Sequence, residues 1–193
     1  MTAPKPPSFS PARLTLRDGR RILLREICEQ DRAGLLAAFA RLSPDARYTR
    51  FMAPLRELPE SMVEQATHPE PGHECALVAV SEADGQDGSG RLVGGARFVA
   101  PPDSDVCEFA ITLDDDWHGV GLARILMTAL IELAGARGYQ RMEGFVLAMN
   151  TPMRRLARRL GFTDVACPDD ATVRIVTLPL GTQGTPENAG AAG

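Results

Sequence analysis

The chain has 193 residues, a net charge of −4, 44% hydrophobic and 24% charged residues, which fits one globular domain with a sizeable core. That balance argues against a nucleic-acid or membrane-surface partner. No apolar run has the length of a leader or a membrane span, and Cys28, Cys75, Cys107 and Cys167 are too dispersed for a zinc site or disulfide framework, so a cytoplasmic enzyme with reduced thiols is expected.

Residues 1–12, MTAPKPPSFSPA, are rich in proline and serine and read as a disordered tail. Residues 14–16 and 21–25 flank Asp18-Gly19, a hairpin signal. A helix opens at Asp31 and carries Leu35, Leu36 and Phe39 on one face. Ser43 before Pro44 reads as the N-cap of the next helix, with proline at the first helical position. A short helix is expected over residues 59–67, then strands over 76–80 and 92–100 separated by the loop ADGQDGSG, then a strand over 106–113. Leu122, Ile125, Leu126, Ala129, Leu130 and Leu133 recur at helical spacing up to Gly138. A strand over 142–147, a helix built on Met153, Leu156, Ala157 and Leu160, and a strand over 173–178 complete the pattern. Residues 181–193 read as a second loose tail. The order predicts one α/β domain over residues 13–180, with a mixed sheet of about seven strands and helices on both faces.

The stretch VCEFAITLDDDWHGVGLARILMTALIELAGARG carries the most chemistry. It reads as a buried strand, a glycine turn and a long amphipathic helix. A helix start has unpaired N–H groups and partial positive charge, and glycines let a phosphate reach that backbone. A dinucleotide fingerprint would need GxGxxG after the first strand, whereas Arg124 stands at the third glycine position and several strands precede the turn.

Strand, HGVGLA, strand MEGFVL and then NTPMRRLARRLGF together resemble the GNAT acetyltransferase superfamily over residues 14–180. Gly121 and Ala123 match the last two fixed positions of that family's Q/R-x-x-G-x-G/A turn, with His118 standing where glutamine or arginine is usual. The resemblance implies acetyl-CoA as cofactor, its pantetheine arm pairing with a splayed strand like an added one. Ile111, Thr112 and Leu113 would supply that strand's backbone. Gly119, Val120, Gly121, Leu122, Ala123 and Arg124 would hold the pyrophosphate, and Asn150 matches the family's asparagine at the next strand-to-helix junction. Dimers are common in such proteins, and the sequence leaves the oligomeric state open.

Acetyl transfer to an amine needs the neutral nucleophile, yet a lysine amine has a pKa of about 10.4. Glu108, a carboxylate in an apolar strand where burial would raise its pKa, is the candidate base; a solvent-facing or arginine-paired glutamate is the alternative reading. Glu143 is a second candidate, structural or acting through water. Asp114, Asp115 and Asp116 would repel a pyrophosphate, so they are expected to point outward, cap the helix or form the turn. Ala157 stands where many family members have a tyrosine acid, and the thiolate of CoA can leave unaided. Arg154, Arg155, Arg158 and Arg159 read first as a solvated helix face.

RLSPDARYTRF and RMEGFVLAMNTPMRRLARRLGF resemble the ends of GNAT domains in bacterial protein-lysine acetyltransferases. The resemblance implies a protein-lysine acceptor such as an acyl-CoA synthetase; a small amine is the alternative, and a non-catalytic acyl-CoA sensor the rival from another class.

Overall fold

The computed structural model describes residues 6–82 and 90–181. The expected loose ends at residues 1–5 and 182–193, and most of the ADGQDGSG loop, lie outside the described residues. Strands β1 (Ala12–Thr15) and β2 (Arg21–Glu26) form the hairpin, followed by helices α1 (Arg32–Arg41), α2 (Pro44–Phe51) and α3 (Glu60–Thr67). Strands β3 (Glu74–Ser81), β4 (Leu92–Val99) and β5 (Val106–Leu113) lead into α4 (Leu122–Ala136), then β6 (Arg141–Leu147), α5 (Thr151–Arg159), β7 (Thr163–Ala166) and β8 (Val173–Pro179). The sheet runs β1-β2-β3-β4-β5-β6-β8-β7. Its pairs are antiparallel except β5 with β6.

The two faces are covered unequally. Leu122, Leu126, Leu130 and Leu133 of α4 and Ala157 of α5 pack on one face, in a core with Leu77, Phe98, Phe109, Met142 and Val176. Helices α1 to α3 lie on the opposite face, where α1 meets β4 and α2 meets β5. Beyond β6 that second face has no helix over it among the described residues. There Phe145, Ile175 and Val165 stand side by side in register, with Phe145 42% and Val165 53% exposed.

The structure adds detail at three places. The sheet has eight strands, because Thr163–Ala166 forms β7, a largely exposed piece of four residues with no apolar alternation to announce it. Helix α1 does open at Asp31, whose carboxylate caps no α1 amide but takes two hydrogen bonds from Arg25, at 2.6 and 2.7 Å, and one from the Cys28 amide at 2.9 Å. Ahead of β1, the Phe9 amide donates to the Glu26 carboxylate, and Arg137 donates to the Pro7 carbonyl at 2.9 Å. Ser43 does cap α2, accepting from the Ala46 amide at 3.2 Å with Pro44 at the first helical position.

Candidate active site

The parallel pair β5/β6 lasts only from Val106 opposite Arg141 to Glu108 opposite Glu143. Beyond Glu108, β5 stays paired to β4 up to Leu113 opposite Gly94, and β6 stays paired to β8 up to Leu147 opposite Val173. The two strands therefore part in mid-sheet. Phe109 forms the wedge: its ring lies over Gly144, where an added Cβ would sit 2.5 Å from Cε1, and it packs edge-on against Phe162 at 5.4 Å. Ile111, Thr112 and Leu113 thus lie on one lip of the cleft with no strand on their outer edge.

Past β5 the chain makes a 3-10 turn at Asp115–Trp117 and reaches α4 through Gly119 and Gly121, at φ of +77° and +96°. Those left-handed positions suit glycine and aim successive N–H groups to one side. The amides of Gly119, Val120, Gly121, Leu122, Ala123 and Arg124 find no acceptor among the described residues. Among the described residues no side chain caps α4, and no acid lies in its first turn. The Leu122 side chain is fully buried, so only its backbone faces this nest. Arg17 lies against Gly121, and with the exposed Arg124 it borders a cavity of about 500 Å³ between β1 and α4. Backbone donors, a helix start and two cations suit an anionic ligand such as a pyrophosphate.

The acids before the turn are arranged to spare it. Asp114 is 7% exposed and points inward, where Arg41 donates to it at 3.0 Å, while Asp115 and Asp116 form the turn itself. The Asp116 carbonyl takes a hydrogen bond from Arg20 at 3.1 Å, and the Arg20 guanidinium stacks on Trp117 at 3.9 Å, so the β1–β2 hairpin braces the segment.

Glu108 lies at the closed end of the cleft and faces α1 to α3, on the wall of a cavity of about 440 Å³. Sequence reasoning expected it to be buried; it is exposed to the cavity. Loss of water nevertheless lifts its carboxyl above the usual range, aided by repulsion from Glu143 directly opposite and opposed by Arg50 and Arg97. Glu143 itself has Arg141 at 3.8 Å. Arg50 and Arg97 line the same cavity, and neither was singled out from sequence: nothing linear shows that α2 and β4 converge on Glu108. The amphipathic RYTRF segment was the one available signal.

Other residues singled out from sequence have local structural partners. Asn150 caps α5, its Oδ1 accepting from the Met153 amide at 3.1 Å, which leaves only its Nδ2 for a ligand. Ala157 is fully buried, and the Tyr139 hydroxyl donates to the Gly72 carbonyl at 2.7 Å, so neither position offers a phenol to the cleft. Of the arginine run, Arg154 and Arg158 bind Asp164 at 3.0 and 2.6 Å, joined there by Arg174 at 2.6 Å.

The sequence matches the family described as the acetyltransferase (GNAT) domain over residues 21–163. Acetyltransferase PA5475 of Pseudomonas aeruginosa is 36% identical over 166 residues, spanning 86% of this chain and 88% of that protein. The crystal structure of the GNAT domain of S. lividans PAT superposes with a TM-score of 0.77 at 25% identity, covering 88% of this chain and 96% of that one. A likeness of fold alone extends to yncA from Salmonella typhimurium, a putative acetyltransferase solved with acetyl-CoA, with a TM-score of 0.63 at 18% identity over 86% of this chain and 98% of that one.

Proposed function

This chain belongs to the GNAT acetyltransferase family, and on that premise we propose that it moves an acetyl group from acetyl-CoA to the ε-amine of a protein lysine, with Glu108 as general base. The observation that carries the reading is the parting of β5 from β6 beside the unpaired amides of residues 119–124, with an ionisable carboxyl at the point of divergence.

GNAT acetyltransferases use acetyl-CoA, which supplies the activated thioester. The residues present fit it: the wedge of Phe109 over Gly144 stands where β5 and β6 part, the outer edge of residues 111–113 offers backbone groups, and the nest with Arg17 and Arg124 answers a pyrophosphate. Glu108 accepts a proton from the acceptor amine, directly or through a water, which its raised pKa favours. Glu143 keeps that pKa high by repulsion. No phenol is required, since a thiol of pKa near 8.5 leaves readily as thiolate.

Two observations support a protein acceptor. The helical segment RLSPDARYTRF, which resembles protein acetyltransferases, forms one wall of the Glu108 cavity through Arg50 and Phe51. The sheet face beside Glu143, over which no described helix lies, offers its apolar row of Phe145, Ile175 and Val165 to a large partner. A small amine would use the cavity alone.

The test is acetyl-CoA turnover against a panel of folded proteins, peptides and small amines, read by CoA release and mass spectrometry, beside the thermal shift given by acetyl-CoA. Gly121→Asp places a side chain at φ +96° and a like charge in the nest, so it abolishes the shift. An unchanged shift in that variant moves the donor site elsewhere. Efficient turnover of a small amine with no protein modified overturns the lysine reading.

A further inference from the structure

We propose that Arg50 and Arg97 form an anion subsite in the acceptor cavity, so that the preferred acceptor carries a carboxylate close to its amine. The inference rests on reading this cavity as the acceptor side, and it names the chemistry of the acceptor.

The two arginines reach the cavity from different elements. Arg97 lies on β4 opposite Ala110, while Glu108 lies opposite Val99, so Arg97 and Glu108 are diagonal neighbours on one face of the sheet. Arg50, in the last turn of α2, comes from the helical wall. Among the described residues neither arginine has an ion-pair partner within 4 Å or a side-chain hydrogen bond. Among other half-buried arginines, Arg25 pairs with Asp31, and Arg154 and Arg174 with Asp164, while Arg47 and Arg137 at least donate to backbone carbonyls. Loss of water and the charge of Arg97 pull the Arg50 guanidinium down to about 10, with Glu108 the only carboxylate opposing them.

Two cations enclosed together with so little compensation are costly to keep unless a ligand supplies an anion. They would also repel a bare ammonium group approaching Glu108. A carboxylate on the same acceptor reverses that repulsion and places the amine by charge-assisted, planar contacts that guanidinium groups favour. The Arg50 guanidinium lies over the Phe51 ring at 4.8 Å, and Leu58 and Met62 on the wall accept the aliphatic stem between the two groups. Once the carboxylate is bound, the arginines hold Glu108 in its charged form less strongly, and Glu108 becomes the stronger base with the right acceptor in place. The carboxylate can come from an acidic residue beside a lysine in a chain, or from the α-carboxylate of a free amino acid.

The experiment uses the full chain with acetyl-CoA and two matched acceptor pairs: lysine peptides differing only by Glu or Gln beside the lysine, and free lysine against lysinamide. At least one pair should favour the carboxylate member by about tenfold in kcat/KM, the first identifying a side-chain acid and the second an α-carboxylate. Arg50→Met and Arg97→Met should each erase the preference while the acetyl-CoA thermal shift persists; where one fails to fold, the Lys variant at that position should retain a weakened preference. Anisotropy of labelled Nε-acetyl-lysine peptides on the CoA-loaded protein reads the peptide preference without turnover. Equal kcat/KM within both pairs, or a preference surviving in the double variant, overturns the subsite and leaves the transferase reading intact. Binding preference without transfer to any amine upholds the subsite and overturns the lysine reading.

Discussion

Glu108 is poised between one carboxylate and two guanidinium groups, and this sets what pH does to the enzyme. Loss of water and Glu143 raise its pKa, whereas Arg50 and Arg97 restrain the rise. With Glu108 as the proposed base, which must be unprotonated to act, kcat/KM should fall as pH drops through a limb lying above the ordinary glutamate value of about 4.3. Arg50→Met removes a cation that favours the charged form, so the limb moves to higher pH. Glu108→Gln keeps acetyl-CoA affinity and lowers transfer at neutral pH roughly 10²-fold, with partial recovery as pH rises and more amine is neutral. A transfer rate equal to wild type would hand the base to another residue. The same variant does not lose stability at neutral pH. A carboxyl with a raised folded-state pKa favours folding when protonated, and that contribution is already gone once pH exceeds the folded value. Glu108 was legible as a charge in an apolar strand. Its arginine partners were not, because their proximity arises from helix packing over the sheet and leaves no linear trace.

At the scale of elements, the cleft depends on one close contact. In Gly144→Ala the new Cβ lies 2.5 to 3.0 Å from three Phe109 ring atoms, and the ring, held by Phe162, has little room to yield. Overpacking of this kind costs about 1–3 kcal/mol, and the strands of the cleft must move, so calorimetry should show both a lower Tm and weaker acetyl-CoA binding. A second element-level device anchors the end of the sheet. Asp164 on β7 gathers Arg154 and Arg158 from α5 and Arg174 from β8. Loss of water would raise its pKa, but hydrogen bonds from Arg174, Arg154 and Arg158 prevail and hold it below the usual carboxylate range. Its contribution is therefore present above the unfolded value of about 3.9 and fades as pH falls through the folded one. Asp164→Asn leaves three cations facing one another and should cost roughly 1–3 kcal/mol, discounted for the exposed Arg158; denaturant melts above pH 5 measure it. All the helices were readable from apolar periodicity, caps and glycine stops. Strand β7 was not, because charge pairing rather than an apolar face holds it.

For the molecule as a whole, composition makes a prediction of its own. Lys5 is the only lysine, every other basic residue among 21 being arginine. If the acceptor is a lysine as proposed, autoacetylation of a lysine in this chain has a single possible target. Incubation with acetyl-CoA alone should label at most Lys5 and the N-terminal amine by mass spectrometry, and acetylation at any other site would contradict this chemistry. The overall order of strands and helices was legible from sequence, since each element carries its own pattern. The unequal cover of the two faces was not, since it depends on where each connection crosses. The parting of β5 and β6 has a further consequence for the protein without ligand. Beyond Glu143, β6 has β8 as its only strand neighbour among the described residues, so the two halves of the sheet are hinged on the short stretch from Val106 to Glu108 and on the Phe109 packing. Backbone amides along both lips should exchange with deuterated solvent quickly when acetyl-CoA is absent and slowly when it bridges them. The donor then acts as a missing girder as well as a reactant, and the lifetime of the folded enzyme would track the supply of acetyl-CoA.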